Sequence, residues 1–159
     1  LGEIDAERRV LARLAEQTDT ALGVYQRLME LATQDGDWPV VIQNARRYLA
    51  VNPLVPMPYR LLAQAGEKTG QASTAIDAYR ALIELDPPNP AEVHFQLARQ
   101  LHRIGDPAAR RHLLSALEEA PRHRAALRFL LELEAPATNR ARHTSTAPAA
   151  ALPLTPDSQ

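Results

Sequence analysis

The sequence predicts an all-α fold, a solenoid of stacked helix pairs, on three observations. Pro53, Pro87 and Pro121 stand 34 residues apart, and each closes a similar stretch of chain. Apolar residues recur at helical spacing between them. A glycine, Gly36 in one stretch and Gly70 in the next, splits the stretch into two apolar stripes, as two antiparallel helices with a short connection require. A fixed period of this length in helical chain marks a repeat architecture, whose core is a thin stripe between neighbouring units.

The elements follow in order. Residues 3–17 read as a helix with Ile4, Leu11, Leu14 and Ala15 on one face. This segment, within 1–19, is expected to be the second helix of a truncated or degenerate preceding repeat. One continuous helix from 3 to 34, with Thr18-Asp19-Thr20 solvated inside it, is the alternative. The first unit, about 22–53, predicts helices over 22–34 and 38–51. The second, about 56–87, predicts helices over 57–69 and 73–85, with Tyr25, Leu28 and Ile42 recurring as Tyr59, Leu62 and Ile76. Gly36 and Gly70 are placed to take the left-handed conformation that ends a helix. Asp37 and Ser73 are the expected N-caps of the helices that follow.

The third unit, about 90–121, predicts helices over 91–104 and 107–119. Its first helix is shifted one residue by the connector Pro87-Pro88-Asn89-Pro90, and its turn Gly105-Asp106-Pro107 is one residue shorter. The two changes cancel, so the proline period survives. Asp106 is the expected N-cap there, with Pro107 at the first helical position. A capping helix is expected over 123–134. Beyond about residue 135 the chain is rich in Pro, Ala, Thr and Ser and carries no aromatic residue. Such a segment buries too little apolar surface to offset the entropy of ordering, so 136–159 is predicted to be a disordered tail. Its Arg140, Arg142 and His143 could meet an acidic partner, but a solubilising tail or linker is the favoured reading.

Composition closes off most chemistry. The formal net charge is −1 and cysteine is absent, which removes bulk attraction to nucleic acid or anionic membranes, disulfides and thiolate chemistry. No run of 18 apolar residues exists, so no membrane insertion is expected. The five histidines lack the i, i+4 pairing of a helical zinc motif, and His94 falls in the apolar register of its helix, as a satisfied half-buried histidine. No phosphate-cradling glycine loop, nucleophile elbow or His-Glu-x-x-His appears. No cofactor, metal or catalytic residue is therefore expected, and the chain is read as not an enzyme. Arg110-Arg111-His112 and Arg122-His123-Arg124 lack interleaved aromatics, and nucleic acid is not an expected partner. Seventeen of eighteen basic residues are Arg, a bias that hints at a GC-rich bacterial source. The chain begins at Leu1 rather than Met, as a fragment or processed product does. A cytoplasmic location is the default expectation.

Tyr59-Arg60-Leu61-Leu62-Ala63, followed by Gly70, Ala75, Tyr79, Leu82 and Pro87, resembles the tetratricopeptide repeat (TPR) family, and the resemblance extends over about 20–135. It is looser in the outer units, where Val41 replaces the small residue and Leu113 the aromatic one. It implies a right-handed α-α superhelix of about three helix pairs plus a C-terminal capping helix. First helices would line a concave groove that holds an extended peptide or a partner helix. The groove positions implied are Gln26, Glu30 and Gln34, then Arg60, Gln64, Glu67 and Lys68, then Phe95, Arg99, His102 and Arg103, and finally Arg128.

The groove would run from acidic or neutral to basic, and its arginines suit bidentate pairing with carboxylates. Capture of a C-terminal carboxylate as in chaperone-binding repeats needs Lys and Asn where Gln26 and Glu30 stand, so that assignment is rejected. Phe95 is a candidate aromatic anchor, with packing the plainer role, and packing is expected of Trp38. The expected function is a non-catalytic protein–protein interaction or scaffold module binding a protein or peptide, acidic or amphipathic. The alternative is the C-terminal TPR region of a larger bacterial enzyme, such as a zinc peptidase.

Overall fold

The structure, a computed structural model, describes residues 2–18 and 21–134. The tail expected to be disordered lies outside them, as do Arg140, Arg142 and His143. All regular structure among the described residues is helical: α1 (Gly2–Gln17), α2 (Leu22–Asp35), α3 (Trp38–Val51), α4 (Pro56–Thr69), α5 (Ala72–Glu84), α6 (Pro90–Arg103), α7 (Ala108–Glu119) and α8 (Arg124–Glu134). Each helix packs on the next in chain order, the defining pattern of a solenoid. No helix among the described residues is long and apolar enough to cross a membrane.

The continuous-helix alternative for 3–34 does not hold. Helix α1 stops at Gln17 and α2 starts at Leu22. The Thr18 carbonyl accepts from the Ala21 amide at 3.4 Å and from the Tyr25 hydroxyl at 3.2 Å, so the break is held by specific bonds. Ala15 is buried against the α2–α3 core. Arg27 then clamps Glu7 with two bonds of 2.7 and 3.1 Å, and Arg8 pairs with Asp35. The pairing lowers the Glu7 carboxyl and raises the Arg27 guanidinium from their ordinary values, each chiefly through the hydrogen bond between them.

Turn chemistry follows the glycines. Gly36 and Gly70 are left-handed, with φ of 73° and 72°. Asp37 caps α3 by accepting from the Val40 amide at 3.4 Å. Asp106 accepts from the Ala108 amide at 2.8 Å, and Pro107 is already in helical conformation ahead of α7. Ser73 is not a cap. Gly70 ends α4 and Gln71 takes the cap position, so Ser73 lies one residue inside α5.

Among the described residues the core is a string of three clusters. One joins α1 to α5 around Tyr25, Met29, Val41, Ala45, Leu62 and Ala65. A second joins α5, α6 and α7 through Ile76, Leu97, Leu101 and Ala109. The third joins α6, α7 and α8 through Ala98, Leu113, Ala116 and Ala126. Trp38 is half-buried against the first cluster. Helices α4 and α5 approach closely at Gly66, where a Cβ would lie 2.7 Å from the Ala75 amide nitrogen. Only glycine permits that approach.

Candidate functional site

The expected groove residues separate into three groups. In the first unit the side chains satisfy one another: Gln26 donates to Glu30 at 3.2 Å, and Glu30 also pairs with Arg27 at 3.4 Å. Gln34, Gln64 and Lys68 are exposed and line neither of the cavities described below. Arg60 lines one cavity at the α5–α6 junction. Phe95, Arg99, His102, Arg103 and Arg128 come together around another, of about 380 Å³, between α6 and α8.

The α6–α8 cavity is built on helical register. Arg99 lies four residues beyond Phe95 on α6, and His102 and Arg103 lie three and four beyond Arg99, so the four share one face. From α8 come Arg128 and Phe129, three and four residues beyond Ala125, with Glu132 closing the lining. Phe129 was not anticipated, and it organises the aromatic wall. Its ring meets Phe95 edge to face at 6.4 Å and His102 at 5.3 Å between centroids. Phe95 also contacts the His123 ring at 5.0 Å, and the Arg99 guanidinium lies 6.0 Å over the Phe95 ring. His123 is itself held by Glu92, 3.1 Å away.

None of Arg99, Arg103 and Arg128 is paired with a carboxylate among the described residues. Two are oriented by neutral amides instead. Arg99 donates to the Gln96 carbonyl oxygen and Arg103 to that of Gln100, both at 2.9 Å. Gln100 is buried, 2% exposed, and its amide nitrogen donates to Glu67 Oε1 at 2.9 Å. The Tyr79 hydroxyl donates to the same oxygen at 2.9 Å. Burial, and then the Glu67 charge, push the Tyr79 phenol above its ordinary value, so Tyr79 stays a donor. The result is a chain of bonds from Arg103 through Gln100 and Glu67 to Tyr79, spanning α4, α5 and α6. Glu67 Oε1 is thus engaged by Tyr79 and Gln100 rather than by an arginine.

The half-buried role expected of His94 has a partner that spacing along one helix does not reveal. His94 on α6 and His112 on α7 place their Nδ1 atoms 3.1 Å apart. Their centroids are 5.3 Å apart with planes within 23°, so the rings meet nitrogen to nitrogen at their edges. One Nδ1 donates and the other accepts, which requires the accepting ring to be neutral. Burial lowers both from their ordinary value, and for His112 the facing His94, Arg111 and Arg80 lower it further. No group of three or more metal-ligating side chains occurs among the described residues.

With this geometry established, comparison with known proteins fixes the family. The model of the bacterial transcriptional activator domain matches residues 1–86. The chain belongs to that family. The matched span covers α1–α5, and every residue lining the α6–α8 cavity lies beyond it. No curated protein matches the sequence at a significant level.

Several solved structures share the fold. A crystal structure of MamA protein superposes with a TM-score of 0.64 at 15% identity, over 96% of this chain and 90% of that one. A second MamA structure gives 0.63 at 14%, over 92% and 93%. The first TPR of Spaghetti (RPAP3), bound to the HSP90 peptide SRMEEVD, gives 0.60 at 12%, over 79% and 96%. At these identities the likeness concerns the fold, which is that of a TPR solenoid.

Proposed function

We propose that this chain is a non-catalytic protein–protein interaction module, and that the α6–α8 cavity is its principal seat for an acidic peptide segment or partner helix. The observation that carries this reading is the convergence of Arg99, Arg103 and Arg128, unpaired with carboxylates among the described residues, on one concavity walled by Phe95 and Phe129. Guanidinium groups beside aromatic rings suit carboxylate and aromatic or aliphatic side chains together. The peptide held by the RPAP3 repeat supports a peptide as the ligand class. The family's setting, bacterial transcriptional activation, suits a binding module better than the zinc-peptidase alternative. On this reading the groove's active part is its C-terminal half. Gln26 and Glu30 are committed to each other, and Gln64 and Lys68 contribute only a solvated rim.

The test is a titration of a fluorescent glutamate-rich peptide, read by anisotropy, against the native chain and an Arg99→Glu/Arg103→Glu variant. Both residues are exposed, so circular dichroism should stay unchanged while affinity falls at least tenfold. Native binding should weaken with added salt, because partly exposed charges are screened. Equal affinity for the two proteins removes the proposal.

A further inference from the structure

The groove holds a second cavity of about 370 Å³, lined by Arg60 of α4 and by residues of α5, the Pro87–Asn89 connector and α6. Its apolar walls are Tyr79, Leu82, Pro87, Pro88 and Val93. Its two charged members, Arg60 and Glu92, are of opposite sign. Glu92 is further engaged by Gln96 at 2.6 Å and His123 at 3.1 Å. This cavity is therefore neutral and apolar, whereas its neighbour is cationic.

The two cavities adjoin along α6. Gln96 lines the apolar one and Arg99, hydrogen-bonded to it, lines the cationic one. Val93 lines the first and Arg99, six positions further along α6, the second. Those six residues span about 9 Å at a rise of about 1.5 Å per residue. An extended peptide rises about 3.3 Å per residue, so it covers the same distance in about three residues. The bonded chain from Tyr79 to Arg103 runs from a wall of one cavity to a wall of the other, which fixes their separation.

We propose that the two cavities form one bipartite site, whose ligand is an extended acidic segment carrying a leucine- or methionine-sized side chain about three residues from a pair of carboxylates. The proposal rests on the cationic cavity being an acidic-peptide seat. It adds a spacing rule to that reading. The carboxylates meet Arg99 and Arg103, and the aliphatic side chain enters between Leu82 and Val93. Neither end of the groove selects such a segment alone, since an acidic stretch lacking the aliphatic residue leaves the apolar cavity to water.

The experiment uses labelled glycine–serine peptides that all carry the same pair of glutamates. Leucine is absent, adjacent to the pair, about three residues away or about six residues away, on either side of the pair. Anisotropy with the full chain should show the three-residue spacing, in one chain direction, binding about tenfold tighter than the leucine-free peptide. That gain is a conservative share of the value of burying a leucine-sized side chain. The adjacent and six-residue peptides should lose most of it. Val93→Ser, and independently Pro88→Ser, should bring the best leucine peptide down to the leucine-free level. Equal affinity at all spacings overturns the bipartite site while leaving the acidic seat standing, as does a leucine gain that survives both substitutions. Absence of binding by every glutamate peptide overturns both readings together.

Discussion

Gly66→Ala sets two effects of opposite sign against each other. In a helix interior alanine is favoured over glycine by about 1 kcal/mol. At this position the new Cβ would lie 2.7 Å from the Ala75 amide nitrogen and 3.1 Å from both the Ala75 Cβ and the Gln71 carbonyl oxygen. Two of those three atoms are backbone, so no side chain can swing aside. Relief requires α4 and α5 to separate by several tenths of an ångström, in a cluster that also buries Leu62, Ala63 and Ala65. Overpacking of this kind costs about 1–3 kcal/mol, and the rigidity of both helices puts Gly66 in the upper part of that range. The expected net loss is about 1–2 kcal/mol. Gly23→Ala is the internal control, because nothing lies within 4 Å of its new Cβ, and it should be neutral or stabilising by up to about 1 kcal/mol. Urea unfolding followed by far-UV circular dichroism measures both. A Gly66→Ala protein as stable as the native one would refute the close α4–α5 approach.

Other outcomes follow from the core and the histidine pair. Leu97 is fully buried between α5, α6 and α7, so Leu97→Ala should cost about 2–5 kcal/mol, and a loss under about 1 kcal/mol in the same urea assay would contradict its placement. His94 and His112 sit below their ordinary value of 6.5 in the folded chain. The unfolded chain therefore takes up protons first as pH falls. Their contribution is intact above about pH 6.5 and is lost as pH drops below it. Melting temperature should fall on acidification through this window, and His112→Gln should flatten that fall; an identical pH profile for the variant would exclude the pair as its source. Removing the N-cap with Asp37→Ala should cost about 1 kcal/mol, read from the shift in urea midpoint at unchanged slope.

Much of the fold is legible in the sequence because the repeat period and the local turn chemistry agree. Each closing proline fixes the register of its two helices, and the compensating shift in the third unit is visible as a longer connector and a shorter turn. Ser73 misleads because serine is a good cap in general, whereas here Gly70 sets where α4 ends and the next helix starts too early for it. The site is only half legible. Phe95, Arg99, His102 and Arg103 follow from the register of α6. Phe129 does not, because α8 lies beyond Pro121, the last proline of the 34-residue series, although its spacing from Ala125 places it on the inward face. The partnership of His94 with His112 crosses the shortened turn between two helices, where i, i+4 rules have no reach. Glu67, expected as an open groove charge, is engaged through Oε1 by Tyr79 and Gln100 from two other helices, and such a convergence is a property of packing.

The bond chain from Tyr79 to Arg103 also limits how far this solenoid can be treated as interchangeable parts. A third unit cut out and spliced onto a foreign repeat would keep the Arg103–Gln100 contact, which lies within α6. It would lose Glu67, leaving the buried Gln100 amide with no acceptor, at a penalty of about 1–3 kcal/mol. Chimeras joined between α5 and α6 should therefore fold poorly, while those that move α4, α5 and α6 as one block should tolerate transfer. The smallest exchangeable module here is three helices long and out of phase with the two-helix repeat that the prolines mark.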